Sequence, residues 1–189
     1  IFNKFETYEI DAFFYIGGND SMDTVAKLSA YCKEKGVEDI KVIGGPKTID
    51  NDLALTDHTP GYGSAAKYIG TSMKEIIRDS FCLEYEKGVV SIVEIMGRNA
   101  GYIALWCGIA SGAEDILIPE RFDGNRPKLE NELIESILEK KALGKKHHLI
   151  INAEGVGHSY SMAKRIESAT GIETRATILG HMQRGGSPT

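Results

Sequence analysis

Apolar residues fall along this chain in two alternating rhythms. Short apolar runs of strand length stop at glycine, proline or polar turns, and longer segments between them carry apolar residues at helical spacing. Residues 12–16 (AFFYI) form the first run and end at Gly17 and Gly18. Met22, Val25, Ala26, Leu28 and Cys32 then recur at helical spacing within residues 21–34. Residues 39–43 (DIKVI) predict a second strand entering the loop GGPKTIDND, so the opening stretch reads as a right-handed βαβ unit. Residues 63–79 predict an amphipathic helix, and residues 89–95 (VVSIVEI) a strand buried on both faces. A helix over 99–112, a strand over 115–118 (DILI) stopped by Pro119, and a helix over 127–143 with Gly144 past its end follow. The last turn of the pattern is a strand at 147–152 (HHLIIN), a helix containing 162–169, and a strand at 174–179 (TRATIL). Such alternation predicts an α/β fold of mainly parallel sheets flanked by helices. Ligands bind such sheets at the loops beyond the carboxyl ends of the strands. Polar and turn residues cluster at 56–62, which suggests a change of domain there.

Composition narrows the class. Of 189 residues, 42% are hydrophobic and 26% charged, which excludes intrinsic disorder and fibrous architectures. A net charge of -5, with 27 acidic against 22 basic side chains, offers no general field for nucleic acid or anionic lipid. The expected partner is a small molecule whose phosphates are held by local groups. Cys32, Cys82 and Cys107 lie far apart with no C-x-x-C pair, which argues against a disulfide framework or a zinc site and for a cytoplasmic setting. No apolar run is long enough to span a bilayer, and the first residues lack a basic start followed by an apolar stretch, so no membrane association is expected. Both ends look cut, which suggests a fragment. Glycine, at 21 of 189 residues, is in excess, and the excess is clustered.

The clusters sit in five loops that follow the apolar strands. In GGNDS, Gly18 lets backbone N–H groups approach an anion at the start of a helix, although a plain turn looks the same. Asp20 beside such a site calls for a cation between carboxylate and phosphate. PKTIDND is more informative. Lys47 and Thr48 supply a cation and a hydroxyl, and Asp50 and Asp52 two carboxylates that require shifted pKa values or a bound Mg²⁺ if buried together. The same DND also suits a helix cap or turn. In Met96-Gly97-Arg98, an arginine follows directly on a buried strand, where its fork would hold a phosphoryl oxygen, or simply meet solvent. Glu154 follows HHLIIN and is placed to accept from sugar hydroxyls or to cap the AEGVG turn. Arg175, His181 and Arg184 bring positive charge toward the C-terminal end, suited to a phosphate monoester. His147 and His148 read as ordinary strand residues.

GGNDS, PKTIDND, MGR, the glutamate of NAEG and the terminal TRATILGHMQRGGSP occur in the order and approximate spacing of the phosphofructokinase family, which the chain resembles throughout. The resemblance implies phosphoryl transfer to the 1-hydroxyl of fructose 6-phosphate, giving fructose 1,6-bisphosphate, with Mg²⁺ assisting. It makes Asp50 the general base, places Thr48 on the transferring phosphoryl group, and gives Asp52 a supporting role toward Asp50 and the metal. Arg98 resembles the family's transition-state arginine. Met96 and Gly97 would line the sugar site, and Glu154 would bind sugar hydroxyls. Arg175, His181 and Arg184 correspond to the 6-phosphate pocket, which the family assembles partly across a subunit interface, so a homo-oligomer is expected. Gly18, Asp20 and Lys47 fall in the donor phosphate site, and Asn19, Asp20 and Asp52 at the metal.

The resemblance also bears on the donor. The ATP-dependent branch of the family has glycine where this chain has Asp20 and Lys47, and both replacements are hallmarks of the pyrophosphate-dependent branch. A carboxylate and a lysine would fill space needed by the α-phosphate of a nucleotide. Pyrophosphate is therefore the expected donor, with ATP as the alternative and a noncatalytic sugar-phosphate-binding module as a reading from a different class. Two departures stand out. Asn19 replaces the usual aspartate metal ligand with a weaker one, and Val89 stands where the family often has a basic residue, with Lys87 two residues earlier. By the same resemblance, residues 1–60 form the remnant of the donor domain, 61–180 the sugar-phosphate domain and 181–189 a return segment, and the isolated piece is expected to be inactive.

Overall fold

The computed structural model describes residues 1–82 and 87–189, and divides into two compact units, Ile1–Thr48 and Ile49–Thr189. The division falls ahead of the polar stretch at 56–62, where composition places a domain change. The first unit holds α1 (Phe2–Thr7), β1 (Ala12–Gly17), α2 (Asn19–Lys35) and β2 (Lys41–Pro46). Its two strands pair in parallel, Ala12 opposite Lys41 through Gly17 opposite Pro46. The second strand runs into the glycine pair that looks like a turn in the sequence. A Cβ at Gly44 would lie 2.9 Å from the Met22 sulfur and one at Gly45 3.1 Å from Ile16 Cγ1, so glycine here marks close packing rather than a bend. Phe2 stacks on Tyr31, with ring centroids 4.7 Å apart, and ties the first helix to the second. Contrary to the apolar run that predicts it, the first strand is largely exposed, with Phe14 at 64% and Ile16 at 71%.

The second unit holds α3 (Tyr62–Cys82), β3 (Val89–Ile95), α4 (Tyr102–Ser111), β4 (Asp115–Leu117), α5 (Arg126–Ala142), β5 (His147–Ala153), α6 (Ser159–Thr170) and β6 (Glu173–Ile178). Its four strands form one parallel sheet in the order β4-β5-β3-β6. Alternation along β3 and β5 distributes the core to two faces. Val93, Ile95, Leu149, Ile151 and Ala153 meet α3 and α4 through Ile69, Met73, Ile103 and Cys107. Val90, Ile92 and Ile150 meet α5 and α6 through Leu133, Ile137, Met162 and Ile166. Every residue of β3 except Glu94 is buried, as the near-continuous apolar run predicts. Each Ile or Leu withdrawn from water here stabilises the fold by about 1.5–3 kcal/mol. The fold is thus of the predicted α/β class.

Among the described residues no helix is long and apolar enough to cross a membrane. The three cysteines are free, and burial pushes the Cys107 thiol up to about 12, which makes it a packing residue rather than a nucleophile. His148 does more than an ordinary strand residue would. It is buried at the amino end of the sheet, with Nε2 2.6 Å from Asp115 Oδ2, and Lys140 lies on the same carboxylate at 3.6 Å.

Candidate active site

The carboxyl ends of β3, β5 and β6 lie side by side, and backbone contacts continue past the strands to bind their loops together. The Glu154 N–H donates to the Ile95 carbonyl at 2.8 Å, and the Gly155 N–H to the Gly97 carbonyl at 3.1 Å. On the other side, the Leu179 N–H donates to the Glu94 carbonyl at 3.2 Å, after which the chain enters a short 3-10 turn, Gly180–Arg184. Two glycines permit this closeness. A Cβ at Gly155 would lie 2.1 Å from the Arg98 carbonyl oxygen, and Gly97 adopts φ +128, which places it in the glycine-favouring region. Hence the loop after β5 lies directly against the loop that carries Arg98.

Several charged groups act on Glu154. The Glu154 pKa is raised, first by burial and then by the carboxylate of Asp50, with Glu94 acting in the same direction. The guanidinium groups of Arg98 and Arg184 pull it down. Asp50, Arg98, Glu154 and Arg184 therefore share one field, although they come from four widely separated stretches of the sequence. Arg98, His181 and Arg184 are exposed, and Met96 is half-buried beside them.

Arg175 is not brought into this group. It sits part-way along the edge strand β6, opposite Ser91, and pairs with Glu173 through Nε at 2.7 Å. Gly18, Asn19, Asp20, Lys47 and Thr48 belong to the first unit. There Gly18 precedes the second helix as its N-cap, Asp20 lies in that helix's first turn, and the Lys47 N–H donates to the Gly17 carbonyl at 2.9 Å. The backbone amide of Lys47 thus ties PKTIDND to the end of the first strand. Asp50 and Asp52 open the second unit.

Several residues that support the site have no role that the sequence motifs assign. Asn51, between the two aspartates, is buried with φ 57, and its side chain accepts from the Thr59 N–H at 2.8 Å and donates to the Asp57 carbonyl at 3.0 Å. It pins the DND segment to residues 57–59. Beneath Glu154 runs a buried chain: the Asn152 amide donates to Ser159 Oγ at 2.8 Å, and Ser159 Oγ donates to Glu94 Oε2 at 2.6 Å. A second Asn152 bond reaches the Gly157 carbonyl at 3.0 Å. The available signal is the polar residue near the end of each apolar strand, Glu in VVSIVEI and Asn in HHLIIN, where alternation alone calls for an apolar side chain. Among the described residues no group of three or more His, Cys, Asp or Glu is arranged to hold a metal.

Comparisons with known proteins show the family. A family model described as Phosphofructokinase matches residues 1–189. The chain belongs to the phosphofructokinase family. ATP-dependent 6-phosphofructokinase 1 of Clostridium perfringens is 47% identical over 184 residues, 97% of this chain and 53% of that protein. The ATP-dependent 6-phosphofructokinase of Clostridium acetobutylicum is 46% identical over 188 residues, 99% of this chain and 54% of that protein. Among solved structures, the pyrophosphate-dependent phosphofructokinase of Nitrosospira multiformis superposes with a TM-score of 0.80 at 32% identity, covering 96% of this chain and 48% of that one. The chain spans about half the length of the curated relatives it matches. The pyrophosphate donor expected from Asp20 and Lys47 is left unsettled by these comparisons, and the ATP-dependent curated relatives fit the ATP alternative better.

Proposed function

We propose that the protein carrying this chain transfers a phosphoryl group to the 1-hydroxyl of fructose 6-phosphate, as a 6-phosphofructokinase. The observation that carries the reading is the convergence of the loops after β3, β5 and β6, which brings Arg98, Glu154 and the turn bearing His181 and Arg184 to one end of the second sheet. Each group then has a task. Asp50 takes the proton of the attacking hydroxyl, and Arg98 stabilises charge on the phosphoryl group in transit. Glu154 accepts hydrogen bonds from sugar hydroxyls, Met96 and Gly97 line the sugar, and His181 and Arg184 hold the 6-phosphate. Arg175, displaced along an edge strand, suits a phosphate pocket in a second copy of the protein, in keeping with a homo-oligomer. A binding module has no need of a carboxylate base between Thr48 and Arg98 in the motif order, which disfavours the noncatalytic alternative.

Magnesium, when bound with the donor, would neutralise charge on its phosphates. Asn19 and Asp20 at the start of α2, and separately Asp52, would offer oxygen donors of the kind it takes.

For the donor, whole-chain likeness to the two clostridial relatives supports ATP as the first reading. Pyrophosphate is the second, favoured by two specific side chains: Asp20 and Lys47 occupy space that a nucleotide needs, and Lys47 offers a charge to pyrophosphate. The deciding experiment assays the full-length enzyme with Mg-ATP and with pyrophosphate. Higher kcat/KM with ATP supports the first reading. A preference for pyrophosphate that shifts toward ATP on Asp20→Gly supports the second. In either case Asp50→Ser is expected to lower kcat by roughly 10² or more with little change in sugar-phosphate affinity. Absence of fructose 6-phosphate-dependent turnover with both donors would sink the reading.

A further inference from the structure

Gln183 is the buried residue of the Gly180–Arg184 turn, 1% exposed, while His181, Met182 and Arg184 around it face solvent. Glutamine is seldom withdrawn from water to this degree, and when it is, its amide finds partners. Here both ends do. Oε1 accepts from the Met96 N–H at 2.9 Å, and Nε2 donates to the Gly180 carbonyl at 2.8 Å. Backbone pairing of β3 with β6 ends where Glu94 meets Ile178, and the Leu179 N–H adds one last rung to the Glu94 carbonyl. Beyond that point the chain turns away, and the Gln183 side chain supplies the acceptor that a continuing strand would have offered to Met96.

We propose that Gln183 is a positioning residue that ties the Met96-Gly97-Arg98 loop to the turn bearing His181 and Arg184, so that sugar-phosphate binding and placement of the transfer arginine are coupled through one side-chain amide. The inference rests on the phosphofructokinase reading above for its kinetic consequence, though not for its geometry. An amide satisfies both contacts at any pH, because Met96 N–H can only donate and Gly180 C=O can only accept, whereas an ionised carboxylate has no donor. A carboxylate serves the first contact and opposes the second, whereas a thioether of similar length serves neither well. Loss of the tie moves groups whose placement to within an ångström governs rate.

The test compares Gln183→Glu and Gln183→Met with the parent in the full-length enzyme, with thermal midpoints recorded alongside kinetics. Gln183→Met should lower kcat by about 10-fold or more and raise the sugar-phosphate KM several-fold, with the donor KM unchanged within about twofold. Gln183→Glu keeps the Met96 contact and loses the Gly180 one. It should hold kcat within about threefold while the sugar-phosphate KM rises about 10-fold. This split separates positioning from general destabilisation. Unchanged kinetics in Gln183→Met, or a kcat loss in Gln183→Glu as deep as in Gln183→Met, would overturn the proposal. Should Gln183→Met fail to fold, the KM-against-kcat split in Gln183→Glu decides alone. Failure of the underlying reading looks different: the parent shows no fructose 6-phosphate-dependent turnover, or Arg184→Ala leaves the sugar-phosphate KM untouched. In that event amide exchange still decides the geometry. A Met96 amide protected in the parent and in Gln183→Glu supports the tie, and one that exchanges as freely as solvent-facing loop amides overturns it.

Discussion

Glu154 concentrates the chemistry of the site in one ionisation. Its raised pKa means that the folded chain keeps the proton to a higher pH than the unfolded chain does. Ionisation above that point therefore costs stability, and the cost is absent at low pH. Glutamine at this position carries no such charge. Glu154→Gln is expected to be slightly more stable than the parent at neutral pH, with the advantage shrinking to nothing as pH falls below the ordinary glutamate range near ~4.3. Urea midpoints of both proteins across that range check it; an advantage that grows on acidification would contradict the assigned direction. In the full-length enzyme the same change should raise the sugar-phosphate KM by about 10-fold, the scale of one lost charge-assisted hydrogen bond. On the proposed reading, stability and affinity thus move in opposite directions.

The loops depend on the elements beneath them, and the Glu94–Ser159–Asn152 chain is the clearest case. Ser159 opens α6, is 1% exposed, and joins a carboxylate on β3 to an amide on β5. Ser159→Ala removes the middle of that chain and leaves Glu94 and Asn152 each short of a partner, at a cost of about 1–3 kcal/mol. Denaturant unfolding of the 189-residue chain measures this, and a shift below about 0.5 kcal/mol would mean that water replaces the hydroxyl. The sequence makes the strands legible because β3 and β5 are buried on both faces and read as continuous apolar runs. It makes Arg98 and Glu154 legible because each follows directly on such a run. It hides Ser159, Asn51 and Gln183, whose importance lies in partners far away along the chain or in a buried amide that no local periodicity demands. The glycines of β2 mislead for a related reason. A glycine pair signals a turn locally, and only the packing of Met22 and Ile16 over them makes it a strand.

At the scale of the whole molecule, the two units are unequally built. The second has a sheet covered on both faces, with six of the seven residues of β5 buried, whereas in the first only Gly17 of β1 is buried and no residue of β2 is. Burial of this kind sets how far a segment must open before its amides meet water. In the 189-residue chain, amides of β3 and β5 should exchange only on global unfolding, and those of β1 and β2 should exchange at least ~10² times faster through local opening. Residue-resolved hydrogen exchange reads this directly. Ligands extend the test to function in the full-length enzyme. Fructose 6-phosphate, held on the proposed reading by residues of the second unit, should further slow exchange in the loops after β3, β5 and β6 and leave β1 and β2 unchanged. The phosphate donor should do the reverse, slowing the amides around Asp20 and Lys47. Fructose 6-phosphate protection centred on β1 and β2 would mean that the acceptor and donor have been assigned to the wrong units.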